Sequence, residues 1–217
     1  MNYSSTFLRF MYALTVFVTA FLSVFFNEIS FLVFIPLVCF PVFCYKTKGP
    51  SFKLVPNWIT LIKLALTIGL IFLFPQAEAA LISVVCFTII GIDVLDGFVA
   101  RKLQQTSEFG AIFDAESDAF YVLVCSVGVC LFYEMPLWIL FMGLIRYLYE
   151  IPVFFLKKKE SKPKKGRSIY AILAGIVFIL IAISFVLGTY QFHALVAANI
   201  ILAYSFSRGF YEDFIKI

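Results

Sequence analysis

Long apolar runs separated by short polar turns are the feature that most restricts the fold of this chain. Each run is close to the roughly 20 residues that a helix needs to cross a bilayer. The runs cover Phe7–Phe26, Ile29–Tyr45, Trp58–Phe74, Ala79–Val99, Phe109–Phe132, Pro136–Leu156, Ile169–Leu187 and Gln191–Phe206. This pattern predicts an all-α, polytopic integral membrane protein with about eight spans.

The composition disfavours other classes of protein. Of the 217 residues, 63% are hydrophobic and only 14% are charged, whereas a soluble domain has about half apolar and about a quarter charged residues. Polar side chains are too few to cover a surface that faces water. A soluble enzyme, a disordered chain and a nucleic-acid-binding domain are therefore all disfavoured, and no nucleic-acid partner is expected.

The basic residues at the ends of the spans, and in the loops that join them, all lie on one side. They are Arg9, Lys46, Lys48, Lys53, Arg101, Lys102, the cluster from Lys157 to Arg167, Arg208 and Lys216. The opposite ends carry Asn27–Glu28, Gln76–Glu78, Glu134 and Gly188–Gln191, with no Lys or Arg. Cytoplasmic loops of membrane proteins carry an excess of Lys and Arg. The asymmetry therefore predicts cytoplasmic termini and cytoplasmic basic loops, which anionic lipid headgroups would also favour.

Four aspartates lie within the fourth and fifth predicted spans, where ionisable residues are costly and rarely incidental. The fourth span presents Asp93, Asp96, Gly97, Ala100 and Arg101 on one helical face, and the fifth presents Gly110, Asp114 and Asp118. Because the loop between the spans is short, we expect two antiparallel, neighbouring helices. Both acidic faces then belong to the cytoplasmic halves of these helices.

A set of carboxylates without histidine or cysteine is typical of sites for hard cations such as Mg²⁺, Mn²⁺ or Ca²⁺. Four ionised carboxylates cannot share a low-dielectric pocket unpaired, so they either protonate or hold cations. Two divalent ions would balance the four charges, and paired metals commonly assist displacement at phosphorus. Gly97 and Gly110 leave gaps where a nucleotide could approach the backbone, and Arg101 could contact phosphate oxygens.

Each residue also has a plainer interpretation when it is taken alone. A single intramembrane aspartate could relay protons or hydrogen-bond to another helix. Arg101 could be an ordinary cytoplasmic flanking residue, and small residues often serve only to pack helices. Eight such residues, however, share one face on each of two successive helices, and this arrangement favours a functional site.

Together these residues form the pattern DxxDGxxAR-x8-GxxxDxxxD from Asp93 to Asp118, with every fixed position present. The pattern resembles the signature of the CDP-alcohol phosphotransferase (CDP-alcohol phosphatidyltransferase) family, integral membrane enzymes that make phospholipids. The stretch from Pro56 to Thr60 is also similar to the PN-x-x-T sequence that often opens the family's first core helix. Lys63 departs from the family, because many members have Arg there.

The resemblance implies a core of six transmembrane helices with the motif on the second and third. It divides this chain into an N-terminal transmembrane hairpin (1–45), a cytoplasmic linker (46–57) and a six-helix catalytic domain (58–217). It also implies the reaction. A CDP-linked donor, usually CDP-diacylglycerol, would transfer its phosphatidyl group to an alcohol hydroxyl with release of CMP, at the cytoplasmic face of the membrane.

The resemblance further implies residue roles by position. Two divalent cations, Mg²⁺ or Mn²⁺, would bind Asp93, Asp96, Asp114 and Asp118, and Asp118 is also the candidate general base. The donor nucleotide would contact Asn57, Thr60, Gly97, Ala100, Arg101 and Gly110. A small alcohol and membrane lipids are the other expected partners, and homodimer formation remains open.

The motif does not determine the acceptor. Glycerol 3-phosphate, serine, myo-inositol, inositol phosphate and, with a CDP-choline-type donor, diacylglycerol are all used by enzymes with this pattern. Lys63, Arg146 and Arg208 are the candidate contacts for an anionic acceptor, with Arg146 first. Alternatively, Arg146 could pair with Glu150 one turn along its helix, and the other two could extend to lipid headgroups.

Two other functions stay open at this point. A CDP-choline or CDP-ethanolamine transferase acting on diacylglycerol would keep the motif, although that branch usually has a longer chain with more spans. A small cation or proton transporter would use the aspartates as ion sites. The transporter would leave the spacing of Gly97, Ala100, Arg101 and Gly110 unexplained.

Overall fold

The protein is built from helices. The structure, a computed structural model, describes residues 3–47, 54–155 and 167–215. The α-helices in these ranges are α1 (Tyr3–Phe25), α2 (Phe34–Thr47), α3 (Val55–Leu73), α4 (Ala79–Lys102), α5 (Glu108–Phe132), α6 (Leu140–Phe155), α7 (Arg167–Ser184) and α8 (Gln191–Phe210). Short 3-10 helices precede α2, α6 and α8, and a π-helical turn follows α8. No strand occurs in the described ranges, so the predicted all-α class is confirmed.

Helix lengths agree with a membrane protein. Four helical stretches are long and apolar enough to cross a bilayer, namely Phe7–Phe25 within α1 and the whole of α3, α4 and α5. Two further apolar stretches, Ile29–Val42 and Ile169–Ser184, are shorter. The chain is therefore a polytopic integral membrane protein, as predicted. The total of eight spans stays a prediction.

Tight turns end several of the apolar runs. Asn27, Gln104, Glu134 and Gly188 have φ angles between 52° and 54°, the left-handed conformation that commonly terminates a helix. Three of these residues lie in the turns that lack Lys and Arg, and Gln104 lies between α4 and α5. Left-handed residues therefore occur in both sets of turns that the charge pattern distinguishes.

The helix that precedes the two aspartate-bearing helices begins at an earlier residue than the apolar run predicted. Helix α3 starts at Val55 rather than Trp58, with Pro56 in its first turn. Proline is tolerated there because the first N–H groups of a helix have no intrahelical partner. Of the predicted linker, residues 48–53 lie outside the described ranges.

Helix α5 lies at the centre of the bundle. Every residue from Ala119 to Val129 is buried, and the helix contacts α1, α2, α3, α6 and α7. Helix α6 approaches it closely at Gly143, where a Cβ atom would lie 2.7 Å from the Cα atom of Leu123. In lipid, close backbone approach at small residues favours helix association. Helices α5 and α6 are therefore held at a short, fixed separation.

Helix α3 lies between the two motif helices. It packs along both α4 and α5, whereas α4 and α5 make few direct contacts with each other. The expectation that the motif helices are direct neighbours is therefore wrong. Side chains of α3 fill the space between their acidic faces, which keeps the two backbones apart.

The N-terminal hairpin packs onto the rest of the bundle. Helix α1 runs along α6 and also contacts α5, and α2 contacts α5. The inward stripe of α1 includes Tyr12, Ala13, Val16 and Ala20, which are all buried and recur at helical spacing. The hairpin and the core helices therefore share one packed interior.

Candidate active site

Three carboxylates converge where α3, α4 and α5 meet. Asp93 comes from α4, and Asp114 and Asp118 come from successive turns of α5. One oxygen from each lies within 4.8 Å of the others, and all three residues are partly buried. This convergence follows from helix geometry, because residues four apart on α5 share a face and that face is turned toward α4.

The ammonium group of Lys63 occupies the centre of this carboxylate triad. Its Nζ atom lies 2.8 Å from Asp93, 2.5 Å from Asp114 and 2.7 Å from Asp118. The side chain is 1% exposed. A lysine ammonium has three N–H donors, and here each meets one carboxylate. Lys63 therefore offsets part of the negative charge that the three aspartates bring into a low-dielectric region.

The triad also fits a divalent metal ion. Carboxylate oxygens are the ligands that hard cations such as Mg²⁺ and Mn²⁺ prefer, and these oxygens are already gathered within 4.8 Å of one another. The position of the Lys63 ammonium among them shows that a positive charge is accommodated there. Asp93, Asp114 and Asp118 could therefore hold a metal ion.

Asp96 faces a different partner. It is buried, and its carboxylate accepts a hydrogen bond from the hydroxyl of Thr60 on α3. The same hydroxyl lies 3.2 Å from the carbonyl oxygen of Pro56. Asp96 is therefore held one helical turn from the triad rather than within it.

A cavity of about 190 Å³ lies next to the triad, between the start of α3 and the loop that joins α4 to α5. Its lining residues are Pro56, Asn57, Thr60, Asp96, Gly97, Ala100, Gln105, Thr106, Ser107, Gly110, Ala111 and Asp114. Five of the six residues expected to contact a nucleotide are among them. The sixth, Arg101, lies beside the cavity, because its guanidinium nitrogen would be 3.5 Å from a Cβ atom at Gly97.

Gly110 allows α5 to begin against α3. The Ser107 side chain caps α5 by accepting a 2.9 Å hydrogen bond from the Gly110 N–H. A Cβ atom at Gly110 would lie 2.7 Å from the Asn57 side-chain oxygen and 3.0 Å from the Ser107 hydroxyl. Asn57 and Ser107 both line the cavity, so a side chain at position 110 would displace the wall of the cavity.

Gly110→Ala should lower activity strongly while Gly91→Ala leaves activity unchanged. Gly91 is the matched control because it also lies in a motif helix, and nothing would lie within 4 Å of a Cβ atom there. Substrate turnover and thermal melting of both purified variants would be compared. Wild-type turnover in Gly110→Ala would show that the Asn57 contact has no bearing on the site.

A second cavity, of about 200 Å³, lies on the other side of Asp118. It is enclosed by α5, α6, α7 and α8, and its walls are mostly apolar side chains such as Met142 and Phe178. Asp118 and Arg146 are its two charged lining residues. Asp114 lines the first cavity and Asp118 the second, so the carboxylates lie between the two spaces.

Arg146 is paired with a carboxylate that the sequence pattern does not single out. One of its Nη atoms donates to Glu116 of α5, while its Nε atom is buried without a partner among the described residues. Glu150 instead pairs with Arg9 of α1, at 3.2 Å. The alternative in which Arg146 pairs with Glu150 is therefore wrong.

Arg208 is placed apart from the aspartates. It pairs with Glu212 at 3.3 Å and donates to the Tyr204 hydroxyl at 3.1 Å, and its side chain is 50% exposed. It lines neither of the two cavities described above. The structure therefore does not bring Arg208 into contact with the other candidate acceptor residues.

Sequence reasoning missed Glu116 as a functional candidate. It lies between Asp114 and Asp118 but outside the fixed motif positions, so the pattern passes over it. A usable signal was available, because a carboxylate and an arginine buried in apolar spans each require a partner. Pairing each intramembrane acidic residue with an intramembrane basic residue would have suggested Glu116 as the partner of Arg146.

Comparisons with known proteins agree with this site. The sequence profile of CDP-alcohol phosphatidyltransferase matches residues 53–206. A CDP-diacylglycerol–glycerol-3-phosphate 3-phosphatidyltransferase of Wigglesworthia glossinidia brevipalpis is 30% identical over 107 residues, or 48% of this chain and 58% of the relative. The enzyme of the same name from Yersinia enterocolitica is 29% identical over 118 residues, or 53% of this chain and 64% of the relative.

The chain therefore spans less than two thirds of the length of these relatives. No solved structure matches it. The profile match extends from just before α3 into α8 and includes the aspartate triad and the cavity beside it. On this evidence the chain belongs to the CDP-alcohol phosphatidyltransferase family.

Proposed function

We propose that this protein transfers the phosphatidyl group of CDP-diacylglycerol to a hydroxyl of glycerol 3-phosphate, with release of CMP. The observation that carries this proposal is the position of the aspartate triad between two cavities. The first is lined by small and uncharged polar residues together with Asp96 and Asp114, and the second by mostly apolar residues together with Asp118 and Arg146. The names of the relatives supply the two substrates, since they are glycerol-3-phosphate phosphatidyltransferases that use CDP-diacylglycerol.

The first cavity is the proposed site of the CDP group. Gly97 and Ala100 present no bulky side chain to it, so a nucleotide can approach the α4 backbone. The exposed Arg101 guanidinium beside Gly97 is within reach of phosphate oxygens in this cavity. Asn57 and Thr60 add polar groups from α3.

The aspartates are the proposed ligands of two divalent cations, Mg²⁺ or Mn²⁺. Asp93, Asp114 and Asp118 would be ligands of these cations, and Asp96 would join them from the adjacent turn. When bound, the cations neutralise the pyrophosphate and polarise the phosphoryl group that is attacked. Lys63, whose ammonium contacts the same carboxylates, keeps the acidic side chains gathered.

The reaction itself is a displacement at phosphorus. The acceptor hydroxyl oxygen attacks the phosphorus that bears the diacylglycerol group, and the bond from that phosphorus to the CMP oxygen breaks. Asp118 lines the acceptor-side cavity and can accept the hydroxyl proton as a general base. The products are a phosphodiester lipid and CMP.

The second cavity is the proposed site of the acceptor phosphate. Arg146 lies in its wall together with Asp118, so a phosphate at the guanidinium would bring the acceptor hydroxyl toward the general base. Lys63 is less suited to this role because its three donors already meet carboxylates. Arg208 is bonded to Glu212 and Tyr204, which leaves Arg146 as the proposed acceptor contact.

The direct test is an assay of CMP release by the purified protein in detergent. CDP-diacylglycerol would be supplied with Mg²⁺ and a panel of alcohols, and products would be identified by mass spectrometry. We expect phosphatidylglycerophosphate with glycerol 3-phosphate and no CMP release in chelator. Turnover only with CDP-choline and diacylglycerol would favour that other branch of the family, and ion flux without CMP release would favour a transporter.

We also propose that the reaction takes place at the cytoplasmic face. The basic residues Arg101 and Lys102 lie at the end of α4 nearest the triad, which supports this orientation. Other residues of the basic pattern, including Lys48, Lys53, the stretch from Lys157 to Lys165, and Lys216, lie outside the described ranges. The unit formed by α3 to α8 is the proposed catalytic domain.

Cysteine labelling should distinguish the two membrane faces. With the five native cysteines replaced, an impermeant maleimide should label Glu78→Cys and Glu134→Cys in intact bacterial cells. It should label Lys158→Cys only after the membrane is opened, and Lys48→Cys and Lys164→Cys should behave in the same way. Labelling of position 158 in intact cells would overturn the proposed orientation.

A further inference from the structure

Two residues of the N-terminal hairpin reach the surroundings of Arg146. Arg9 and Tyr12 are three residues apart on α1 and therefore share a face, which packs along α6. Neither lies within the part of the chain that matches the family profile, residues 53–206. The contacts they make therefore come from outside the region that the profile matches.

Tyr12 holds the carboxylate that pairs with Arg146. Its buried hydroxyl lies 3.3 Å from one oxygen of Glu116, while the other oxygen of Glu116 accepts from Arg146. Cys39 of α2 donates to the Tyr12 hydroxyl at 2.8 Å, and the Tyr12 ring packs edge-on against Tyr147 with centroids 5.6 Å apart. Both helices of the hairpin thus contribute to the orientation of Glu116.

Arg9 holds the other carboxylate near Arg146. Glu150 is four residues after Arg146 on α6, the spacing at which opposite charges pair along a helix. In the structure Glu150 pairs with Arg9 instead, at 3.2 Å. The hairpin therefore provides Glu150 with a cationic partner other than Arg146.

We propose that the N-terminal hairpin positions Arg146 for the acceptor phosphate, through Tyr12 and Arg9. Tyr12 fixes the carboxylate of Glu116, which binds one edge of the Arg146 guanidinium. Arg9 pairs with Glu150, so Glu150 does not neutralise the remaining charge of that guanidinium. The guanidinium has five N–H donors, so donors remain for an anion in the cavity that Arg146 shares with Asp118. This inference rests on the proposed function, in which that cavity receives an anionic acceptor.

Tyr12→Phe and Arg9→Gln test the inference through the kinetic constants. Tyr12→Phe removes one hydroxyl and keeps the ring, and Arg9→Gln frees Glu150. We expect each to raise the KM for glycerol 3-phosphate at least about tenfold, the lower end of the ratio that corresponds to one hydrogen bond to a charged group. The KM for CDP-diacylglycerol should stay at the wild-type value. Tyr190→Phe, at an exposed tyrosine, is the matched control and should change neither constant.

Second substitutions separate positioning from general packing. In an Arg146→Gln background, Tyr12→Phe should cause no further rise in the acceptor KM. Adding Glu150→Gln to Arg9→Gln should restore the acceptor KM, because the competing carboxylate is gone. Thermal melting of each variant would identify any that fails to fold, and the partly exposed Arg9 provides the variant that is least disruptive.

The outcomes also separate this inference from the proposed function. If the wild-type protein releases no CMP with any anionic acceptor, the proposed function itself fails. If the wild type is active but Tyr12→Phe and Arg9→Gln leave the acceptor KM unchanged, the positioning role is wrong. Equal rises in both KM values would overturn it as well, since they would indicate a general loss of structure.

Discussion

Asp114→Asn should lower the rate of CMP release at least about a hundredfold, a loss of the size seen when a key electrostatic group is removed from an active site. Asparagine keeps the shape of the side chain but removes the charge. Asp114 contacts Lys63 and also lines the first cavity, so its charge acts at the junction of the proposed donor and metal sites. Asp93→Asn and Asp96→Asn should have similar effects, and chelation of divalent cations should abolish wild-type activity.

The control for this prediction is another carboxylate of the same helix. Glu108 lies in the first turn of α5 and is exposed, and it lines neither described cavity. Glu108→Gln should therefore retain near wild-type turnover. Steady-state assays across a range of Mg²⁺ concentrations would compare the variants. An Asp114→Asn protein that folds and turns over normally in chelator would refute the metal assignment.

Lys63→Met should make the stability of the protein depend on divalent cations. Removing one partner of a buried ion pair costs about 3–5 kcal/mol, because the other charge is left uncompensated. Here a single ammonium, 1% exposed, contacts three carboxylates. In chelator the variant should melt well below the wild type, and Mg²⁺ or Mn²⁺ should raise its melting temperature more than that of the wild type.

Lys63→Arg is the comparison that keeps the positive charge. It should melt near the wild-type temperature in chelator, since a guanidinium can also donate to several carboxylates. Thermal melting in detergent, with and without cation, requires no turnover and so reports on the site independently of activity. If Lys63→Met melted like the wild type in chelator, the ammonium would not be the internal counter-charge of the triad.

The carboxylate triad was largely predictable because it depends on helix periodicity. Asp114 and Asp118 are four residues apart, and the motif helices are joined by a short loop, so their side chains had to meet near one membrane face. Asp96 was less predictable. It lies three residues after Asp93, which rotates its side chain by roughly 60° around the helix, enough to face Thr60 on α3 instead of the triad.

Contacts that depend on which helices pack together could not be predicted in the same way. Lys63 is 30 residues before Asp93 and 51 before Asp114, and only the insertion of α3 between α4 and α5 brings it to the centre of the triad. The pairing of Glu116 with Arg146 likewise depends on the contact between α5 and α6. No spacing within a single helix indicates such a pair.

The buried α5 also has a consequence for how the protein is made. This helix carries Asp114, Glu116 and Asp118 in its N-terminal half, and each acidic residue opposes transfer from the translocon into lipid, by up to about 3 kcal/mol at the centre of a span. Two of the helices that contact it, α6 and α7, are synthesised later. The largely apolar segment from Ala119 to Val129 must therefore drive insertion through lipid before it becomes the interior of the finished bundle. A polar substitution in that segment would reduce the yield of inserted protein as well as its stability once assembled.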